Sequence, residues 1–153
     1  MKVKSFEISG FRGIRRNINL DLSSGKSVLI YGDNDVDGIT AAALQTEFLR
    51  FIGANVFFYV PNRNTLKQSV ILDALEYAVA NQCKLIVTVD CGITAVEPVA
   101  RARSLGIDAV ITDHHEPSSQ LPDACAIVNP LRPGCPYPFK SLAGVGVTYK
   151  LVE

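Results

Sequence analysis

Three short segments carry nearly all the side chains able to do chemistry. Gly32-Asp33-Asn34-Asp35-Val36-Asp37-Gly38 holds three carboxylates at alternate positions, Asp90-Cys91-Gly92 adds a fourth, and Asp113-His114-His115-Glu116 sets two imidazoles between acids. Read as an extended segment, a period of two sends Asp33, Asp35 and Asp37 to one side. Four or five carboxylates drawn together repel one another unless a cation neutralises them. Oxygen donors with one or two imidazoles suit Mn²⁺ or Mg²⁺ better than zinc or iron. Parts of the pattern have plainer readings. Asp37 or Asp90 alone is as readily a helix N-cap as a ligand. The Asp33-Asp35-Asp37-Gly38 spacing opens like an EF-hand loop, but the glutamate that loop needs is Leu44 here, and a strand rather than a helix precedes it. Gly25-Lys26-Ser27 is not the end of a Walker A loop: Leu20 stands where its first Gly belongs, and a strand follows instead of preceding. Gly144-x-Gly146 offers either backbone N–H groups to a phosphate or a close packing contact that tolerates no side chain.

The elements that must position these groups are legible as short apolar runs alternating with helical stretches. Val28–Tyr31, Val56–Val60, Leu85–Val89, Ala109–Thr112 and Ala126–Val128 are continuous and β-rich, as in strands buried on both faces. Ile39–Ile52, Leu66–Asn81, Thr94–Leu105 and Ser141–Glu153 carry apolar residues at helical spacing, with Gly53 and Gly106 placed as C-caps. The alternation predicts an α/β fold, a doubly wound and mainly parallel sheet of about five strands. All three acidic segments then fall at the carboxyl ends of strands, where open parallel sheets bind ligands. Residues 1–24 read differently: Lys2–Ser9 and Arg16–Leu22 alternate, with Gly10 and Gly13 between them, which predicts an antiparallel hairpin added at one edge of the sheet. The chain divides accordingly into a hairpin extension, 1–24, and a main domain, 25–153. Its last helical pattern runs to the final residue, which reads as a piece of a longer domain.

Composition narrows the classes. Fifteen basic and fifteen acidic side chains cancel, so no global field draws the chain to nucleic acid or anionic lipid. No apolar run has the length of a membrane span, and the N-terminus lacks the apolar stretch of a signal peptide. Cys83, Cys91, Cys125 and Cys135 form no CxxC pair; they read as reduced thiols of a cytoplasmic protein rather than disulfides or a metal site.

The segments Tyr31–Leu44 (YGDNDVDGITAAAL), Gly53–Arg63 (GANVFFYVPNR), Leu85–Ala95 (LIVTVDCGITA), Gly106–Pro117 (GIDAVITDHHEP) and Ala126–Leu151 (AIVNPLRPGCPYPFKSLAGVGVTYKL) occur in an order and spacing that resembles the N-terminal domain of DHH-family phosphoesterases, near the single-strand-specific exonucleases of RecJ type. The resemblance implies a two-metal phosphodiesterase, usually Mn²⁺-dependent, whose site is shared with a smaller C-terminal domain. It implies a substrate of single-stranded nucleic acid or a small phosphodiester, in DNA repair or recombination. By the same resemblance Asp33, Asp35, Asp37, Asp90 and His114 hold the metals, Asp90 bridging two ions. Asp113 then orients a histidine, and His115 meets the scissile phosphate; His114, His115 and Asp113 form the catalytic group.

The sequence departs from that family in three places. Asn34 stands where an aromatic residue is more usual, Asn64-Thr65-Leu66-Lys67 replaces a Gly-Tyr-Gly segment, and the metal-binding aspartate of a fourth motif has no counterpart, since Asp123 lies too near His115 in a Pro-flanked loop. Residues 1–34 also resemble the opening of RecF/SMC-type ATPases, although Asp35-Val36-Asp37-Gly38 follows where their phosphate loop would begin, so ATP is not an expected ligand. A fusion with an ATPase-derived segment and a metal- or nucleotide-binding module without catalysis are the competing readings.

Overall fold

The structure is a computed structural model that describes residues 5–8, 18–21, 27–62 and 70–153. The elements run β1 (Ser5–Ile8), β2 (Ile18–Asp21), β3 (Ser27–Gly32), α1 (Val36–Phe51), β4 (Asn55–Tyr59), α2 (Val70–Ala80), β5 (Cys83–Val89), α3 (Val96–Ser104), β6 (Asp108–Thr112), β7 (Ala126–Val128) and α4 (Gly144–Val152). Five strands form one sheet in the order β4-β3-β5-β6-β7, and every neighbouring pair is parallel. The apolar runs read from the sequence become these five strands.

The continuous runs are explained by burial on both faces. Val28 and Ile30 pack with Ala41, Ala42, Leu49 and Val56 beneath α1 and α4, while Leu29 and Tyr31 pack with Ala74, Leu75, Ala78 and Ala102 beneath α2 and α3. Helices therefore cover both sides of the sheet, as a doubly wound arrangement requires. Gly53 and Gly106 adopt positive φ, 96° and 71°, just past α1 and α3, where the sequence places C-caps. From β3 the chain crosses outward to β4 and then returns to β5 on the other side of β3. The carboxyl ends of β3 and β5 thus flank the point where winding reverses, the crevice in which such sheets bind ligands.

Two expectations need correction. β1 and β2 pair antiparallel, with Ser5 opposite Asp21 and Ile8 opposite Ile18, but they form a separate two-stranded sheet. The strand order places β4 and β7 at the edges of the main sheet, so the expected hairpin at its edge is not supported. An alternating pattern specifies that a strand has two unlike faces, not which edge it joins. The proposed turn at Gly10 and Gly13, Gly25-Lys26, the Asn64-Thr65-Leu66-Lys67 segment and the expected start of α2 at Leu66 lie outside the described residues.

The second correction concerns α1, which starts at Val36 rather than Ile39. Asp35 is its N-cap, accepting a hydrogen bond from Gly38 N at 2.9 Å, and Asp37 sits in the first helical turn. The acidic segment is therefore not extended throughout, and Asp37 leaves the line of Asp33 and Asp35. Gly38 is required by contact: a Cβ there would lie 2.5 Å from the Asp33 carbonyl oxygen.

Candidate metal centre

Asp90 follows β5 and is the central residue of the site. It is 1% exposed and adopts φ 61°, a left-handed conformation that aspartate tolerates better than most residues. Its main-chain N–H donates to Thr112 O at 2.9 Å, extending the β5–β6 ladder by one rung. Its carboxylate has no such support. Oδ1 is buried and accepts no hydrogen bond, although His114 Nε2 lies 3.0 Å away. An unpaired buried oxygen of this kind is costly, which makes it an unusual thing to keep.

Asp33 and Asp35 bring carboxylate oxygens to Asp90 from the end of β3 and the cap of α1, with all three ligand atoms within 4.8 Å of one another. Two full charges at that distance repel by about 3 kcal/mol at an effective dielectric constant near 20, and water around the exposed Asp35 screens its share. Burial, together with the charges of Asp37 and Asp35, pushes the Asp90 carboxyl up to about 7. Asp35 shifts the other way, because the Gly38 N–H stabilises its charged form. The two carboxyls are driven apart by environment, one exposed and held by a main-chain N–H, the other buried among like charges.

On the other flank, Asp90, His114 and His115 form a second trio with ligand atoms inside the same 4.8 Å limit. Asp113 organises this side. Its Oδ1 accepts from the main-chain N–H of His114 and His115 at 2.7 and 3.1 Å and lies 2.7 Å from His115 Nδ1, and its Oδ2 accepts from Ile93 N at 2.9 Å. Asp113 is as buried as Asp90, at 1%, but fully engaged. Burial pulls the His115 pKa down while the Asp113 hydrogen bond and charge push it up, and the net shift is upward. With Nδ1 taken by Asp113, His115 has Nε2 left for a ligand.

Asp37 points elsewhere. Its Oδ2 and Oδ1 accept from the main-chain N–H groups of Gly144 and Val145 at 2.6 and 2.7 Å, at the amino terminus of α4, and Oδ2 lies 3.7 Å from His114 Nε2. A carboxylate there is favoured by the orphan N–H groups and the helix dipole. This answers the two readings of Gly144-x-Gly146: the first N–H groups of α4 are already engaged by Asp37, and Gly144 is a packing glycine, since a Cβ there would overlap the Asp90 carboxylate.

The sequence-predicted residues Asp33, Asp35, Asp90, His114 and His115 are thus brought together, with Asp37 and Asp113 bonded at the margins. Cys91 sits among them, but burial and the nearby Asp113 and Asp33 charges push its thiol well up, so it offers no thiolate. Asp123 pairs with Arg103 near the opposite end of the sheet. Sequence reasoning missed Asn129, 3% exposed just after β7, whose Nδ2 donates to His115 O at 2.9 Å. No local signal marks it, because the partner is fourteen residues away. Among the described residues no helix is long and apolar enough to cross a membrane.

Comparison with known proteins identifies the family of this fold. The chain is 43% identical over 148 residues to the single-stranded-DNA-specific exonuclease RecJ of Bacillus subtilis (strain 168), spanning 97% of this chain and 19% of that protein. It is 43% identical over 129 residues to its namesake from Escherichia coli (strain K12), spanning 84% and 22%. The Bacillus match spans 97% of the chain and so takes in most of the first 26 residues. Among solved structures the chain resembles an exonuclease RecJ bound to manganese, with TM-score 0.72, 30% identity and coverage of 86% of this chain and 33% of that one. It also resembles RecJ in complex with Mn²⁺ from Thermus thermophilus, with TM-score 0.67, 30% identity and coverage of 86% and 18%. The chain spans about a fifth of the length of the curated relatives it matches. Residues 27–153 match the N-terminal domain of the DHH family, and the chain belongs to that family.

Proposed function

We propose that this chain is the metal-bearing part of a Mn²⁺- or Mg²⁺-dependent exonuclease acting on single-stranded DNA in the cytoplasm, in repair or recombination. The observation that carries the reading is Asp90 Oδ1, a buried carboxylate oxygen that accepts no hydrogen bond and faces other acids and two histidines, His114 Nε2 at 3.0 Å. A divalent cation would give it the partner that no protein hydrogen bond supplies, and hard oxygen donors with imidazole suit these ions. Asp33, Asp35, Asp37, Asp90 and His114 would hold the metal, and Asp90 belongs to both trios of the cluster. Each Asp37 oxygen accepts a single N–H and keeps a lone pair, so its bonds to α4 orient the carboxylate without using it up. Bound ions would polarise the phosphoryl group and make water nucleophilic at neutral pH.

The protein groups then act around that centre. Asp113 holds the His115 ring through Nδ1, and His115 is assigned to the substrate phosphate; relatives named for single-stranded-DNA cleavage support that substrate class. Among the described residues no carboxylate after His115 joins the cluster, so its acids come from the ends of β3, β5 and β6 alone. The test is Mn²⁺ binding alongside single-turnover cleavage of end-labelled single-stranded DNA, with His114→Ala as control. Measurable binding with cleavage slowed on the order of a thousandfold or more, a few kcal/mol of lost transition-state stabilisation, is the expected result. Absence of Mn²⁺ uptake would overturn the assignment. Fast processive cleavage would show that these residues form a complete enzyme.

A further inference from the structure

We infer that Thr88 is a positioning residue for the metal centre, its hydroxyl holding the turn that aims Asp90 into the cluster. The inference rests on the metal-centre reading above. Thr88 is the penultimate residue of β5 and is 3% exposed. Its Oγ1 donates to Cys91 O at 2.8 Å, closing a tight loop around Asp90. Its own carbonyl accepts from Thr112 Oγ1 at 2.8 Å, so the loop is tied in turn to β6, the strand that leads to Asp113 and His114. Gly92, at φ 103°, lies so close that a Cβ there would fall 2.6 Å from Thr88 Oγ1. The hydroxyl therefore sits between the backbone on either side of Asp90.

The physical need for such a tie follows from the conformation of Asp90. A left-handed φ is strained for an L-residue and persists only where surrounding contacts over-determine it. The Asp90 carboxylate cannot supply that restraint, because it accepts no hydrogen bond at Oδ1 and meets like charges. Left to relax, the residue would return to extended backbone and swing the carboxylate out of the crevice between β3 and β5. The main-chain bond from Asp90 N to Thr112 O fixes one side of the turn, and Thr88 Oγ1 fixes the other. A threonine late in a buried strand would ordinarily be read as a β-former of the core. What marks it here is the direction of its hydroxyl, along its own chain and over the residue that needs holding.

The test uses the whole chain and Mn²⁺ alone, titrated calorimetrically well below the melting temperature of each variant. Thr88→Val keeps the shape and removes the donor, and should weaken Mn²⁺ binding about tenfold, the lower end of what supporting partners of metal ligands contribute. Thr88→Ser keeps the donor and should stay within about twofold of the parent. In an Asp90→Asn background Thr88→Val should cause no further loss, since the threonine acts through Asp90. Should Thr88→Val not fold, Thr88→Ala removes the donor without pressing a methyl group on Gly92, and the same loss is expected. Equal binding by the parent and a folded donor-less variant would overturn the role of Thr88, as would a serine variant as weak as the valine one. If the unaltered chain takes up no Mn²⁺, the metal-centre reading itself falls; the two failures are therefore distinct.

Discussion

The two ends of the same five-stranded sheet handle polar groups in opposite ways. At the amino end groups near the starts of strands meet complements: Asn55 Nδ2 donates to Ser27 Oγ at 2.8 Å, Cys125 Sγ approaches Asp108 Oδ1 at 3.4 Å, and Arg103 pairs with Asp123. At the carboxyl end, like charges are gathered and the available N–H donors are shared unevenly. Asp113 receives several and Asp37 two, while Asp90 Oδ1, equally buried, receives none. Burial alone therefore does not mark a ligand. The mark is a buried acid that accepts no hydrogen bond at one oxygen while its neighbours are satisfied, and that meets like charges and an imidazole nitrogen instead.

Removing that one acid should have the largest effect. At Mn²⁺ a hundredfold above its dissociation constant the parent should gain about 2.7 kcal/mol, roughly 5–10 °C in melting temperature for a chain of this size. Asp90→Asn should abolish most of that gain and also raise the metal-free melting temperature at neutral pH, since it deletes a buried, repelled charge. A parent-like Mn²⁺ response in this variant would place the centre elsewhere. Gly144→Ala comes next. Its Cβ would overlap the Asp90 carboxylate, so α4 or the acid must shift. We expect a cost of about 1–3 kcal/mol, as for other overpacked sites, and a Mn²⁺ affinity lower by about tenfold. Unchanged stability and affinity would show that the contact is slack.

These first two predictions also measure how much of the site was legible. Continuous runs such as Leu85–Val89 reveal strands because both faces are buried, and the acids after them could be placed at the functional edge without coordinates. The course of Asp37 could not. Its alternation with Asp33 and Asp35 suggests a shared face, but capping by Asp35 starts the helix early and turns Asp37 toward Gly144, 107 residues on. Asn129 and Gly144 owe their importance to partners brought close by winding, which no local pattern encodes. The N-terminal strands show the same limit: alternation implies pairing, while the choice of sheet depends on the rest of the molecule.

The pH response should be opposite in sign for the two key acids. The folded Asp90 holds its proton up to about 7 whereas the unfolded one loses it near 3.8. Its contribution to metal-free stability is therefore fully present below the unfolded value and lost as pH rises to about 7. Asp35, lowered by the Gly38 N–H, contributes above its unfolded value and loses that contribution as pH falls through its folded one. Mn²⁺ must displace the Asp90 proton, so affinity should rise by up to about tenfold per pH unit below about 7 and then level off. A flat profile between about pH 5 and 7 would contradict the raised carboxyl. The smallest effect belongs to the amino end. Arg103→Ala, breaking a pair whose side chains are 54% and 57% exposed, should cost less than about 1 kcal/mol and leave Mn²⁺ binding untouched. A clear loss of Mn²⁺ affinity there would couple the two ends and undo the contrast.

The central claim, that the carboxyl end of the sheet is a divalent-cation centre built around Asp90, is tested most directly by calorimetric Mn²⁺ titration of the parent and Asp90→Asn chains at about pH 8, above the raised Asp90 value. The account predicts saturable binding of at least one ion by the parent, and loss of most of that affinity in the variant with its fold intact. Indistinguishable titrations of the two chains would contradict it.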